Sequence, residues 1–227
     1  MKAESAAMSE AASFEVVILG ASAGGETALF TLLRELPPDF AVPMVLMQHL
    51  SPASTFVETY GPRTPFTLEW AGDRSVLAAG KVLVCPPRCF VELLPDGSLQ
   101  LLPCEGGALQ KPINRLLQSV ARSHAQRAIG VVLTGMGSDG AAGARELHLA
   151  GGQVLVQSEA SAQYPDMPRA AIAADRVPDG AGAAGRQPRA LCRGSGPSLG
   201  GRGRLRARRG AAGRRAARNG AVRSLDH

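Results

Sequence analysis

Between residues 14 and 36 the hydrophobic pattern changes once from a β-rich run to helical spacing. Residues 14–20 form an apolar, β-rich run ending in a glycine-rich turn, and residues 26–36 then carry apolar side chains at helical spacing until Pro37-Pro38 stops them. The pattern predicts a strand, a tight turn and a helix. Residues 42–48 read as a second buried strand, followed by Ser51-Pro52 as N-cap and first helical residue for 53–60. His49 then lies just beyond the C-terminal end of that strand.

Short strands follow over 66–70, 81–84, 90–94 and 98–102. The last two are joined by Pro95-Asp96-Gly97, a hairpin signal. Residues 112–124 predict a helix with Ile113, Leu116, Leu117 and Val120 on one face. The continuous apolar run 128–133 predicts a buried strand that leads into Thr134-Gly135-Met136-Gly137-Ser138-Asp139-Gly140 and a helix through residue 150. Gly151-Gly152 ends that helix, and 153–157 is another strand. Apolar strands alternating with helices predict an α/β fold with a doubly wound, mostly parallel sheet, helices on both faces and an antiparallel hairpin. In such a fold the ligand crevice lies outside the carboxyl ends of the strands. Ser22, His49 and Asp139 all fall at such ends.

Composition divides the chain. It has 227 residues, 45% of them hydrophobic and 4% aromatic, which suits one domain with helices packed closely on a sheet. The net charge of +6 suggests a nucleic-acid partner until it is split. Residues 180–227 hold twelve of the 25 basic residues and one of the 19 acids, leaving 13 bases against 18 acids, a net −5, in residues 1–179. That arginine-, glycine- and alanine-rich stretch lacks apolar periodicity and interleaved aromatics, so it is expected to be disordered and no nucleic-acid partner is expected. The organisation expected is an N-terminal tail over 1–13, a catalytic domain over 14–178 and a tail over 179–227. No run reaches the ~18 apolar residues of a membrane span, and residues 1–12 lack the apolar core of a secretion signal. The expectation is a cytoplasmic protein. Cys85, Cys89, Cys104 and Cys192 lack paired metal-ligand spacing, so reduced thiols and no metal are expected.

Gly20-Ala21-Ser22-Ala23-Gly24 matches G-x-S-x-G, in which small neighbours let a serine sit exposed on a sharp strand-to-helix turn. Backbone N–H groups of Ala23 and Gly24, at the following helix N-terminus, are placed to stabilise an oxyanion. A phosphate-cradling loop is the competing reading of this motif alone, although it lacks the G-x-G-x-x-G register and a Walker lysine. His49 is the histidine placed at the same sheet edge, since His124 and His148 lie in predicted helices and His227 lies in the tail. Asp139 could orient the His49 imidazole or merely cap the helix that follows it. Together the three supply nucleophile, base and orienter in the chain order Ser, His, acid, which differs from the Ser, acid, His order of α/β-hydrolases. Such a mechanism needs no cofactor.

Gly20-Ala21-Ser22-Ala23-Gly24-Gly25, Gln48-His49, Cys85-Pro86-Pro87, Thr134 to Gly140 with Ala141-Ala142-Gly143, Ser158-Glu159-Ala160-Ser161 and Met167-Pro168-Arg169-Ala170 resemble, in order, the catalytic domain of the chemotaxis methylesterase CheB. The resemblance spans about residues 14–174. It implies hydrolysis of glutamate methyl esters on chemoreceptor cytoplasmic helices with release of methanol, and allows deamidation of receptor glutamines. Ser22 would attack the ester carbonyl, His49 would take the proton, and the Met136 region would help form the oxyanion site. Methylated receptor helices would be the partners.

Three departures accompany it. The family usually has Thr where this chain has Ala23, which removes a hydroxyl and keeps the backbone donor. The phosphorylatable receiver domain usual in the family does not fit in the short N-terminal segment, so control by phosphorylation of this chain is not expected. The last strand and helix expected after Ala174 are not recognisable. Two alternatives therefore stand beside the esterase: a serine hydrolase for another ester, and a receptor-binding module with weak or no turnover.

Overall fold

A computed structural model of the chain describes residues 14–104, 110–175 and 189–191. Among these, seven strands form one sheet in the order β3-β4-β2-β1-β7-β8-β9, and β5 and β6 form a separate antiparallel pair. The strands are β1 (Val16–Ala21), β2 (Met44–Gln48), β3 (Thr67–Trp70), β4 (Lys81–Val84), β5 (Cys89–Leu93), β6 (Leu99–Pro103), β7 (Ala128–Val132), β8 (Gln153–Gln157) and β9 (Arg189–Leu191). Every pairing in the large sheet is parallel. The expected doubly wound α/β fold with its antiparallel hairpin is the one observed.

The two faces are covered by different helices. Val17, Leu19, Leu46 and Val131 point to one side, where Leu29 and Leu33 of α1 (Gly25–Glu35) and Phe56 of α2 (Phe56–Tyr60) pack on them. Ile18, Val45, Val132 and Val156 point to the other, under α3 (Pro112–Ser123), α4 (Ala141–Leu149), α5 (Asp166–Asp175) and the β5–β6 hairpin. Central strands buried on both faces explain the near-continuous apolar runs, in contrast with the alternation of a half-exposed sheet. Each Leu or Ile fully buried here contributes about 1.5–3 kcal/mol relative to an exposed position.

Three features differ from the sequence reading or were absent from it. The α2 helix starts at Phe56 with Thr55 as N-cap, while Ser51-Pro52 forms a turn, the Ser54 N–H donating to Ser51 O at 3.0 Å. The α5 helix, over the Met167-Pro168-Arg169-Ala170 motif, was not expected from periodicity. It tolerates Pro168 because a proline in the first turn gives up an N–H with no intrahelical acceptor. The third concerns the C-terminal stretch expected to be disordered, in which β9 extends the sheet by pairing Leu155 with Arg189 and Gln157 with Leu191. The rest of 179–227, and the tail 1–13, lie outside the described residues.

His124, at the C-terminal end of α3, is only 5% exposed and hydrogen-bonded through Nδ1 to Ser123 Oγ at 2.8 Å. Burial, reinforced by the Arg127 guanidinium, pushes its pKa below the ordinary histidine value. A depressed histidine pKa favours the fold while the ring is neutral. That stability is fully present above the ordinary value near 6.5 and is lost as pH falls through the lowered folded value. The thermal unfolding midpoint should therefore drop between pH 7.5 and pH 5, and His124→Gln should flatten the drop. An unchanged slope in that variant would assign the acid sensitivity elsewhere.

Candidate active site

The sheet order places β1 between β2 and β7, so the segments leaving these three strands emerge side by side. Ladder bonding continues one step past the strand ends: the Ser22 N–H donates to Thr134 O at 3.0 Å and the His49 N–H to Ala21 O at 3.3 Å. From there the chain leaving β1 enters α1 on one face, and the chain leaving β7 enters α4 on the other. This divergence opens the crevice that doubly wound sheets use for ligands.

Ser22 Oγ lies 3.0 Å from His49 Nδ1, and His49 Nε2 lies 2.9 Å from Asp139 Oδ2. The three side chains singled out from sequence are brought into one hydrogen-bonded line. With a carboxylate as its partner, Nε2 carries the proton, and the Nδ1 lone pair faces the serine hydroxyl. The imidazole is 37% exposed and the carboxylate 6%, so the line runs from the solvent edge into the interior.

Asp139 does more than receive the imidazole. Its Oδ1 accepts the N–H groups of Asn114 at 2.9 Å and Gly140 at 2.8 Å, and Oδ2 accepts that of Ile113 at 3.1 Å. Two of these donors belong to the first turn of α3, where helix N–H groups lack intrahelical acceptors. Burial of this carboxylate is thus compensated by aimed donors and the positive end of a helix. The capping role considered for Asp139 exists, but the helix capped from a distance is α3. The α4 helix has Gly140 as its N-cap, with no side-chain cap bond.

The turn carrying Ser22 is held from three sides. The Gly25 N–H donates to Ser22 O at 2.8 Å, and the buried Gln48 amide donates to the same carbonyl through Nε2, also at 2.8 Å. Gly24, the N-cap of α1, sits at φ +72°, a left-handed conformation that a side chain would strain. Among the described residues, the N–H groups of Ala23 and Gly24 have no hydrogen-bond partner. The nearly fully buried Thr134 joins the neighbouring loops: its Oγ1 donates to Ala23 O at 3.0 Å and accepts the Tyr164 N–H at 2.8 Å, while its own N–H donates to Gln157 Oε1 at 2.8 Å. Met136, on the same loop as Asp139, is 59% exposed beside the crevice.

Sequence reasoning did not assign roles to Thr134, Gln48, Gln157 or Tyr164. Their signal was only adjacency, since Gln48 precedes His49 and Thr134 opens the glycine-rich loop. Gly135 was overlooked too. A Cβ built there would sit 2.8 Å from Ser22 Cβ and 2.1 Å from Met167 Sδ. Gly135→Ala must therefore displace Ser22 or Met167. A cut in kcat of about 10²-fold is expected, on the scale known for misplacement by an ångström. Activity within twofold of the parent would show that the loop yields freely.

The CheB methylesterase family model matches residues 17–180. A protein-glutamate methylesterase/protein-glutamine glutaminase 2 of Anaeromyxobacter dehalogenans is 38% identical over 178 residues, covering 76% of this chain and 52% of its own length. One from Trichodesmium erythraeum is 35% identical over 162 residues, covering 68% and 46%. The chain spans about half the length of the curated relatives it matches. The crystal structure of the Thermotoga maritima CheB methylesterase catalytic domain superposes with a TM-score of 0.65 at 26% identity, covering 71% of this chain and 88% of that one. By family model, sequence relatives and architecture alike, the chain belongs to the CheB methylesterase family.

Proposed function

We propose that residues 14–178 form a serine esterase unit that hydrolyses glutamate methyl esters on chemoreceptor cytoplasmic helices, acting in the cytoplasm through Ser22, His49 and Asp139. The observation that carries this reading is the continuous hydrogen-bonded line from Ser22 Oγ through His49 to Asp139 at the sheet's carboxyl edge. The relatives' names supply the substrate class.

In this reading His49 Nδ1 takes the Ser22 hydroxyl proton as Oγ attacks the ester carbonyl carbon. The developing oxyanion is met by the N–H groups of Ala23 and Gly24 at the start of α1 and by the loop around Met136. Collapse of the tetrahedral intermediate breaks the bond from carbon to methoxy oxygen, and His49 returns its proton to the departing methanol. Water, deprotonated by the same nitrogen, then cleaves the acyl-serine to leave a glutamate carboxylate and restore the Ser22 hydroxyl. Asp139 keeps the Nε2 proton in place and stabilises the imidazolium between steps. The same sequence acting on a glutamine side chain releases ammonia, which is the deamidase reaction in the relatives' names.

The test is methanol release from a methylated receptor fragment by the full chain. Release above the uncatalysed rate is expected. A folded chain that binds the fragment and releases none would replace the esterase with a binding module.

A further inference from the structure

One face of α3 is buried through Ile113, Leu116, Leu117 and Val120. The opposite face presents Lys111, Arg115, Gln118 and Arg122, spaced at i, i+4, i+7 and i+11, so they form one stripe along the helix. With Phe90 and Glu92 of β5 they line an open groove of about 600 Å³. One end of the groove reaches the catalytic loop, where Lys111 Nζ donates to Ser138 Oγ at 3.0 Å, next to Asp139.

The groove holds three cations and one acid. Glu92 accepts from Arg115 Nε at 2.6 Å and has the Arg122 guanidinium at 3.9 Å, while Arg115 lies 4.8 Å over the Phe90 ring. Arg122 is 63% exposed. Surface ion pairs of this kind are worth ~0–1 kcal/mol, so a partner's carboxylates can exchange with Glu92 at little cost. From Lys111 to Arg122 the stripe covers twelve residues, roughly 16 Å along the axis, which matches about three turns of a partner helix.

We propose that the Lys111–Arg115–Arg122 stripe docks the acidic helix that carries the ester, placing the glutamyl side chain over Ser22 while flanking carboxylates lie along α3. This rests on the esterase reading. Two observations choose this occupant: the groove carries net positive charge in a part of the chain that is otherwise net acidic, and it is continuous with the loop bearing Asp139. Each turnover converts a neutral ester into a carboxylate, so a helix with several such sites gains complementarity to the stripe as it is demethylated.

The test is photo-cross-linking of a benzophenone-bearing helical peptide, with a glutamate methyl ester flanked by glutamates, to the full chain carrying Ser22→Ala. Cross-linked sites are mapped by mass spectrometry. Cross-links within residues 110–122 are expected, falling about fivefold or more when Lys111→Glu and Arg122→Glu are added without change in the unfolding midpoint. Lys111→Gln with Arg122→Gln is the second variant, expected to move the same way should charge reversal destabilise the chain. Cross-links confined to the arginine-rich stretch 180–227, a yield on α3 indifferent to these changes, or an equal yield from a peptide with glutamine for its flanking glutamates would each overturn the proposal. Because the readout needs no hydrolysis, failure of wild-type methanol release would sink the esterase reading and leave this result standing.

Discussion

Ser22→Ala protein is expected to lose methanol release by on the order of 10⁴-fold or more while unfolding at an almost unchanged temperature. The substitution removes one oxygen and keeps the Cβ that abuts Gly135. The turn itself is held by bonds the variant retains: the residue-22 N–H to Thr134 O, and its carbonyl accepting from Gly25 and Gln48. Loss of turnover without loss of fold would identify the hydroxyl as the attacking group. Release at the parental rate would remove Ser22 from the chemistry and with it the role of His49.

Asp139→Asn should be nearly as damaging, for a different reason. An asparagine can keep its carbonyl oxygen toward Asn114 and Gly140, which places its NH₂ group toward His49 Nε2 and Ile113 N–H, where Oδ2 now accepts both. The amide would then donate to Nε2, move the imidazole proton to Nδ1, and leave no lone pair facing Ser22. A reduction of about 10³–10⁴-fold in kcat is expected, comparable to the effect of a wrong histidine tautomer elsewhere. The Ile113 N–H would lose its acceptor, with an added cost of about 1–3 kcal/mol in stability. Both are measurable in one preparation, by methanol release and by urea unfolding. A variant that keeps its rate would mean that His49 is held in the right tautomer by something other than this carboxylate.

What could be read from the chain and what could not divide along a physical line. Local signals carried far: the apolar runs behind β1, β2 and β7 marked buried strands, and the residues after them marked one edge of a sheet. Ser22, His49 and Asp139 were found because strand ends in a parallel sheet share a side. Long-range partnerships were invisible. Nothing near Asp139 announces that its carboxylate caps α3, because Ile113 and Asn114 lie 26 and 25 residues away. Thr134 looks like one more small residue in a glycine-rich loop until Ala23 and Tyr164 are seen to meet on its hydroxyl. Local patterns also misled where punctuation had two meanings. Ser51-Pro52 reads as a helix start but makes a turn, and Pro168 sits in the first turn of α5, a helix that no periodicity marked. The short β9, Arg-Ala-Leu, has no periodicity of its own; its pairing with β8 supplies the hydrogen bonds that its composition does not suggest.

The placement of β1 between β2 and β7 has a consequence for how the molecule comes into being. Ser22 and His49 are separated by 27 residues and His49 and Asp139 by 90, and each follows the end of a different strand. The carboxylate in turn waits on α3, which belongs to the connection between the hairpin and β7. No fragment, and no partly collapsed intermediate lacking one of these pieces, can hold Ser22, His49 and Asp139 in line. Non-local pairings of this kind form late in folding, so the hydrogen-bonded line arrives only with the pairing of β1 and β7. During synthesis the line from Ser22 to Asp139 therefore cannot form until β7 has been made and has docked beside β1.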